Sequence, residues 1–244
     1  MGGGFSGGDG LSADRPLGSI NAALQKARKG DVIIVAPGEY RESIVVSTAG
    51  ITILGSAPGD GEPRVVIDSP AGKTTKLLTD SADTVWRGIA FRLRGSGAVT
   101  LRAFTGRFEY CRFTSESPVP GIEVYGGNPV FQGCTFTGGA GPAAQMALNG
   151  QTGRSSRVTM AYCLFRDAPG GAVLLRGEQD VRFVNCLFAA CRFITMRQSG
   201  VGAQVSATNS VFFLNAEPSL FLQSARPPGR ALKIACMRQP LAHS

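Results

Sequence analysis

The sequence predicts an all-β solenoid: a right-handed parallel β-helix with coils of about 23 residues and a short N-terminal capping helix. Three observations predict it: a tripeptide frame recurring six times, strand-period alternation inside each repeat, and one amphipathic segment ahead of the first repeat. The frame runs Ile89-Ala90-Phe91, Cys111-Arg112-Phe113, Cys134-Thr135-Phe136, Cys163-Leu164-Phe165, Cys186-Leu187-Phe188 and Ser210-Val211-Phe212. Successive steps are 22, 23, 29, 23 and 24 residues.

The frame extends backwards at fixed offsets. Three positions before it stand Trp86, Phe108, Phe131, Met160, Phe183 and Ala207, and two before those lie Thr84, Gly106, Pro129, Val158, Val181 and Val205. A unit this short, rich in glycine and β-formers with apolar runs alternating at period two, holds short strands joined by turns. It has no room for a helical hairpin. Stacking such units about 4.8 Å apart, each pairing its backbone with the next, makes a solenoid. Between the strand ending near Met160 and the next one, Tyr110, Tyr162, Asn185 and Asn209 share a bend position, where Asn suits left-handed backbone angles.

The four frame cysteines read as small inward core residues, stacked coil over coil. Parallel Cβ vectors do not suit a disulfide, and six cysteines in 244 residues do not make a disulfide scaffold. Cys191 and Cys236 fall outside the frame and have no assigned role at this stage.

Ahead of the repeats, residues 17–28 read as one helix, with Ser19 as its cap and Leu17, Ile20, Ala23, Leu24 and Ala27 on its apolar face. Gly30 stops it, and Asp31 to Ala36 reads as the first strand. A solenoid needs such a cap, because a bare terminal coil exposes core and an unpaired sheet edge. Residues 1–10 are expected to be a flexible lead-in, 11–224 the β-helix and 225–244 a cap or tail. Arg226-Pro227-Pro228-Gly229-Arg230 marks the end of the repeats, since two prolines do not continue an interior strand.

Composition narrows the function classes. An apolar share of 43% against 17% charged excludes global disorder. No run approaches the roughly 20 apolar residues of a membrane-spanning helix, so no membrane partner is expected. The net charge of +8 is unevenly placed: residues 1–91 hold 9 basic and 10 acidic groups, residues 92–244 hold 16 and 7. Twenty of the 25 cations are arginine. They lack aromatic interleaving and any nucleic-acid motif, which argues against nucleic acid as the partner.

Residues 7–44 carry a resemblance. Pro16, then Ile20, Ala23 and Leu24, then Gly30-Asp31, a hydrophobic strand, and Pro37, Gly38, Tyr40 and Glu42 resemble the opening of pectin-lyase-like right-handed β-helix proteins. With Ile51 to Gly55 and the repeats, the resemblance covers residues 7 to about 224. It implies the β-helix fold, an extracellular or cell-surface setting, and a range of roles: polysaccharide lyase, polygalacturonase, pectin esterase, uronan epimerase, tailspike or non-catalytic sugar-binding module. The start, Met1-Gly2-Gly3-Gly4-Phe5, does not itself read as a secretory signal. The paired aspartates of the esterases and the Asn-Thr-Asp, Asp-Asp and Gly-His-Gly motifs of polygalacturonases are not found. Gln145 to Leu148 loosely resembles the Gln-containing strand of the esterases.

In the resembling enzymes the strand after the frame faces the sugar groove. Setting Val99/Leu101, Ile122/Val124, Met146/Leu148, Val173/Leu175, Ile194/Met196 and Leu220/Leu222 inward points Arg102, Tyr125, Asn149, Arg176, Arg197 and Gln223 outward in one column. Thr100, Glu123, Ala147, Leu174, Thr195 and Phe221 form the column beside it. The insertion 150–157, which lengthens the third step, is expected to project as a groove wall. Guanidinium groups grip carboxylates in bidentate fashion, and a tyrosine ring offers a stacking surface. The expected partner is an acidic polysaccharide bound by Arg102, Glu123, Tyr125, Asn149, Arg176 and Arg197. A solvated face whose arginines deter aggregation is the competing reading.

Catalysis is the next question. A uronan lyase or epimerase acting by β-elimination would draw on Arg176, Arg197 or Glu123, although a guanidinium hardly deprotonates. Hydrolysis requires two carboxyl groups, and this face offers Glu123 alone. A structural or assembly scaffold is the third reading. No cofactor is expected: Ca²⁺ would need a cluster of oxygen ligands, and Glu123, Asp167, Glu178 and Asp180 are scattered along the chain.

Overall fold

The structure is a computed structural model that describes residues 8–55, 62–68, 78–79, 83–94, 97–116, 119–138, 145–150, 156–168, 170–191, 194–197, 204–213 and 220–223, with the backbone alone for 78–79, 194–197 and 220–223. The expected tail 225–244, with Cys236, lies outside them. Eight successive coils of three strands stack along one axis. The first face collects Val32–Ile34, Thr52–Leu54, Val85–Arg87, Arg107–Glu109, Val130–Gln132, Arg157–Ala161, Asp180–Val184 and Gln204–Thr208 in one parallel sheet. The second collects Gly38–Tyr40, Val65–Asp68, Ile89–Leu93, Arg112–Ser115, Thr135–Gly138, Leu164–Ala168, Leu187–Cys191 and Val211–Phe213. The third has six strands, Val99–Phe104, Ile122–Gly127, Met146–Asn149, Val173–Arg176, Ile194–Arg197 and Leu220–Gln223, while Val45–Val46 and Leu78–Thr79 pair with each other.

The repeat is in register throughout. Phe108 pairs with Trp86 and Phe131, and Phe113 with Phe91 and Phe136. Because each coil hydrogen-bonds to the next, side chains at equivalent positions stack into columns. One aromatic column runs Phe91, Phe113, Phe136, Phe165, Phe188, Phe212, with stacked rings 4.5–5.2 Å apart. A second starts Trp86, Phe108, Phe131 and meets the first edge-on. Offset stacks along the axis and edge contacts across it are the two favoured aromatic geometries.

The frame cysteines sit inward as expected. Cys111, Cys134, Cys163 and Cys186 are buried free thiols, and the last three lie 3.3–3.4 Å from carbonyl oxygens of Phe108, Phe131 and Met160 in the preceding coil. Burial and the adjoining Cys111 and Cys163 thiols push the Cys134 thiol well above its ordinary value. Cys191, without a role from sequence, is also a core thiol. It pairs in register with Ala168 at the end of its strand, and burial pushes it up to about 12.

The corner between the first and second faces turns on one left-handed residue. Gly88, Tyr110, Gly133, Tyr162, Asn185 and Asn209 occupy it at φ of +50° to +64°. In the first five the N–H donates to a carbonyl of the next coil, as Tyr110 to Gln132, Tyr162 to Val184 and Asn185 to Thr208. Left-handed angles cost an ordinary side chain about 1–2 kcal/mol, and Gly or Asn much less.

The capping helix is Ile20–Lys26, shorter than the expected 17–28. Ser19 is extended and its Oγ accepts from the Ala22 N–H at 3.1 Å, so the helix starts after it, not at Leu17. Ala27 is extended at the other end, and the Arg28 N–H is taken by the Asp31 carboxylate at 2.8 Å. Ile20 and Leu24 are buried against the first coils. Glu42 caps the helix from across the chain, accepting from the Ile20 and Asn21 N–H groups at 2.9 and 3.0 Å. The first strand is also shorter than expected, because the Ala36 carbonyl accepts from the Tyr40 hydroxyl and is already part of the turn. Pro37 thus stands at a corner, Gly38 and Tyr40 in the strand that follows it, and Glu42 is a cap.

Candidate functional site

The strands of the third face line up four members of the expected column, Arg102, Tyr125, Asn149 and Arg176. Val99, Leu101, Ile122, Val124, Met146, Leu148, Val173 and Leu175 are buried in the core. Arg102, Tyr125, Asn149 and Arg176 are register partners in successive coils, pointing outward. Arg197 lies on the next strand, paired with Gln223, and its side chain is outside the described residues.

Neighbours in the column touch. The Arg102 guanidinium lies over the Tyr125 ring, 5.3 Å from its centre, a contact that holds the cation while leaving its N–H edges free. The Arg176 Nη1 donates to Asn149 Oδ1 at 3.4 Å. Glu123 stands two residues before Tyr125 on the same face. Burial first, then the Glu123 carboxyl, push the Tyr125 hydroxyl above its ordinary value, against the opposing pull of Arg102 and Arg176. The phenol therefore stays protonated.

The column beside it differs from expectation. Thr100, Ala147 and Leu174 face away from the core yet are only 6%, 0% and 8% exposed, and Ala147 and Leu174 form an apolar cluster of their own. Glu123, between Thr100 and Ala147 in register, is half-buried. The polar column is thus bounded on one side by a largely covered one. Alternation assigns a side chain to a face but says nothing of what lies above that face. The insertion 150–157 is mostly outside the described residues.

Gln145 does not join this site. Its side-chain amide is buried and donates to the Gly138 and Arg166 carbonyls, both at 2.9 Å, bridging two coils at the corner. Among the described residues, no three His, Cys, Asp or Glu side chains converge as metal ligands.

A charged lattice on the second face was not legible in the sequence. Asp68, 3% exposed, has Arg94 at 3.5 Å and Arg41 and Arg92 at 4.0 Å, while Arg41 and Arg92 also reach Glu39. The hydrogen bond from Arg41 chiefly lowers the Glu39 carboxyl, and burial chiefly raises that of Asp68. The signal that finds it is the repeat register, which seats Asp68 beside Arg92. The register runs two coils ahead of the frame as read from sequence, through Val65 and Gly38.

With fold and face in view, comparison with known proteins places the chain. Residues 80–225, more than half of the sequence, match the family model described as right-handed β-helix region. The chain belongs to that family. The match spans the third to eighth coils of this right-handed β-helix, including every strand of the third face. No curated protein matches the chain closely enough to count as a relative.

Proposed function

We propose that the outer third face binds an acidic polysaccharide running along the helix axis, gripped by Arg102, Tyr125, Asn149, Arg176 and Arg197, with Glu123 beside them. The observation that carries this reading is the contact pattern of the column. Arg102 is stacked on Tyr125 and Arg176 is steadied by Asn149, so two guanidiniums are pre-oriented one coil on either side of the Tyr125–Asn149 pair. A guanidinium held by its face or by one N–H keeps other donors for a carboxylate. At a coil spacing of about 4.8 Å the column runs along the axis with Arg102 and Arg176 three coils apart, so that each would meet a different uronate of one chain.

The test is retardation of the full chain in gels containing polygalacturonate or alginate, with Arg102→Ala and Arg176→Ala alongside. Retardation that both substitutions reduce supports the reading; wild-type migration unaffected by either polymer sinks it.

One observation favours a second reading, β-elimination. Glu123 stands two residues before Tyr125 on the outer face, with Arg102 one coil before that tyrosine and Arg176 two coils beyond it. In that reaction Glu123 takes the proton α to the uronate carboxyl and a carbon–carbon double bond forms as the glycosidic C–O bond breaks. Tyr125 protonates the departing oxygen, and the arginines neutralise the uronate. Ultraviolet absorbance of an unsaturated product on incubation with uronans, lost in Glu123→Gln, separates this from binding alone.

A further inference from the structure

The corner between the first and second faces carries two tyrosines that the fold does not call for. At six successive coils the turning residue of this bend is Gly88, Tyr110, Gly133, Tyr162, Asn185 and Asn209, all left-handed. Glycine and asparagine suit that conformation, whereas a bulky aromatic residue there is a strained exception. Neither tyrosine is repaid by burial, since Tyr110 is 42% and Tyr162 63% exposed. Strain and exposure together at two of six equivalent positions point to a role outside folding.

The residues around them shape a ridge. Gly133 separates the two tyrosines by one coil, and a Cβ there would meet the Tyr110 ring at 2.7 Å, so the ring lies against Gly133. The Arg87 guanidinium sits over Tyr110 at 5.8 Å, and Arg87 and Arg107 both stand 3.6 Å from Glu109. Tyr162 lies two coils beyond Tyr110, about 9.6 Å at the usual inter-strand spacing. A convex edge with aromatic rings at that interval fits a chain laid along it, not a small molecule in a pocket.

We infer that Tyr110 and Tyr162 form a second glycan-binding edge, selecting a neutral, extended β-1,4-linked polysaccharide. In such a chain successive rings are flipped, so alternate rings present the same face, and the two tyrosines meet rings two apart. Axial C–H groups of each ring pack on a phenol face, and no carboxylate is required. This edge lies on a different corner from the arginine column and stands or falls independently of it.

The test uses the full chain in affinity electrophoresis through hydroxyethylcellulose, with polygalacturonate gels in parallel. The variants are Tyr110→Asn, Tyr162→Asn, the double, and Arg102→Ala with Arg176→Ala. Asparagine removes the ring and suits the left-handed bend, so the double variant is expected to melt no lower than wild type. The expected result is retardation of wild type by hydroxyethylcellulose, weakened about tenfold per ring lost. Polygalacturonate behaviour should be unchanged in the tyrosine variants, and the arginine variants should keep their glucan affinity. Wild type passing the glucan gel unretarded, or the double variant held as strongly as wild type, overturns the proposal. So does a double variant that loses both polymers while still folded. Tetranitromethane nitration of wild type adds a measurement that needs no substitution: glucan should slow modification of Tyr110 and Tyr162, and equal rates with and without it reject the site.

Discussion

Individual residues here answer to their column before their chain neighbours. Phe136 lies between Phe113 and Phe165, with ring centres 5.2 and 4.5 Å away. Phe136→Ala is expected to cost about 3–5 kcal/mol, measured by urea unfolding, because the stack leaves a cavity that two rigid sheets do not close. Trp86 heads the other column, but its indole N–H is buried with no partner among the described residues. Trp86→Phe removes that orphaned donor and matches Phe108 above it, so the same measurement should find a change within about 1.5 kcal/mol, far less than for Phe136→Ala. On the third face, Arg176→Ala is expected to weaken binding of polygalacturonate about threefold to tenfold in an affinity gel, the effect shrinking as salt is raised.

Strands and corners set the next scale. Gly127 closes the third face at φ +84°, and a Cβ there would stand 2.3 Å from the Phe104 carbonyl oxygen of the preceding coil. Gly127→Ala combines left-handed strain with a backbone clash and should destabilise by more than the roughly 1–2 kcal/mol of strain alone, seen as a lower urea midpoint. Between the sixth and seventh coils, Arg157 and Arg182 both bond to Asp180, at 2.8 and 3.1 Å. Burial pushes the Asp180 carboxyl up, but those bonds more than reverse it and hold it below its ordinary value. A carboxyl lowered in the folded state adds stability above its unfolded pKa of about 3.9, and that stability is lost as pH falls through the folded value. Asp68, raised by burial, acts with the opposite sign, since its folded form binds the proton more tightly. Urea midpoints measured downward from about pH 6 should therefore fall less steeply for Asp180→Asn than for wild type.

At the scale of the whole molecule, stability is a chain of nearest-neighbour couplings, because each coil pairs with those next to it. The ends depend on their caps. Glu42→Gln weakens the charged acceptor at the Ile20 and Asn21 N–H groups, and amide hydrogen exchange should quicken in the helix and first coil while the fourth to sixth coils stay protected. Uniform quickening along the axis would contradict that picture. The same linear build orders the surfaces: an arginine column on the third face, a charged lattice early on the second, and a tyrosine edge at the corner between first and second.

Much of the fold was legible because a solenoid writes its contacts into a short period. Cys134 and Phe136 name their neighbours simply by recurring one coil away, and alternation then settles that Leu148 is inside and Asn149 outside. Ser19 as the helix cap was equally local. The repeat alone therefore determined the solenoid class, the inner columns and the register that lines up Arg102, Tyr125, Asn149 and Arg176. Three things were left to the tertiary structure. Residues far apart along the chain met on one face, as Glu39, Asp68 and Arg94 do. An outward column, Thr100, Ala147 and Leu174, proved to be covered. Glu42 reached back to cap a helix over twenty residues upstream. Periodicity fixes direction within a coil, but cover, charge pairing and capping depend on which chain segments meet in space, and that is decided only when the coils close.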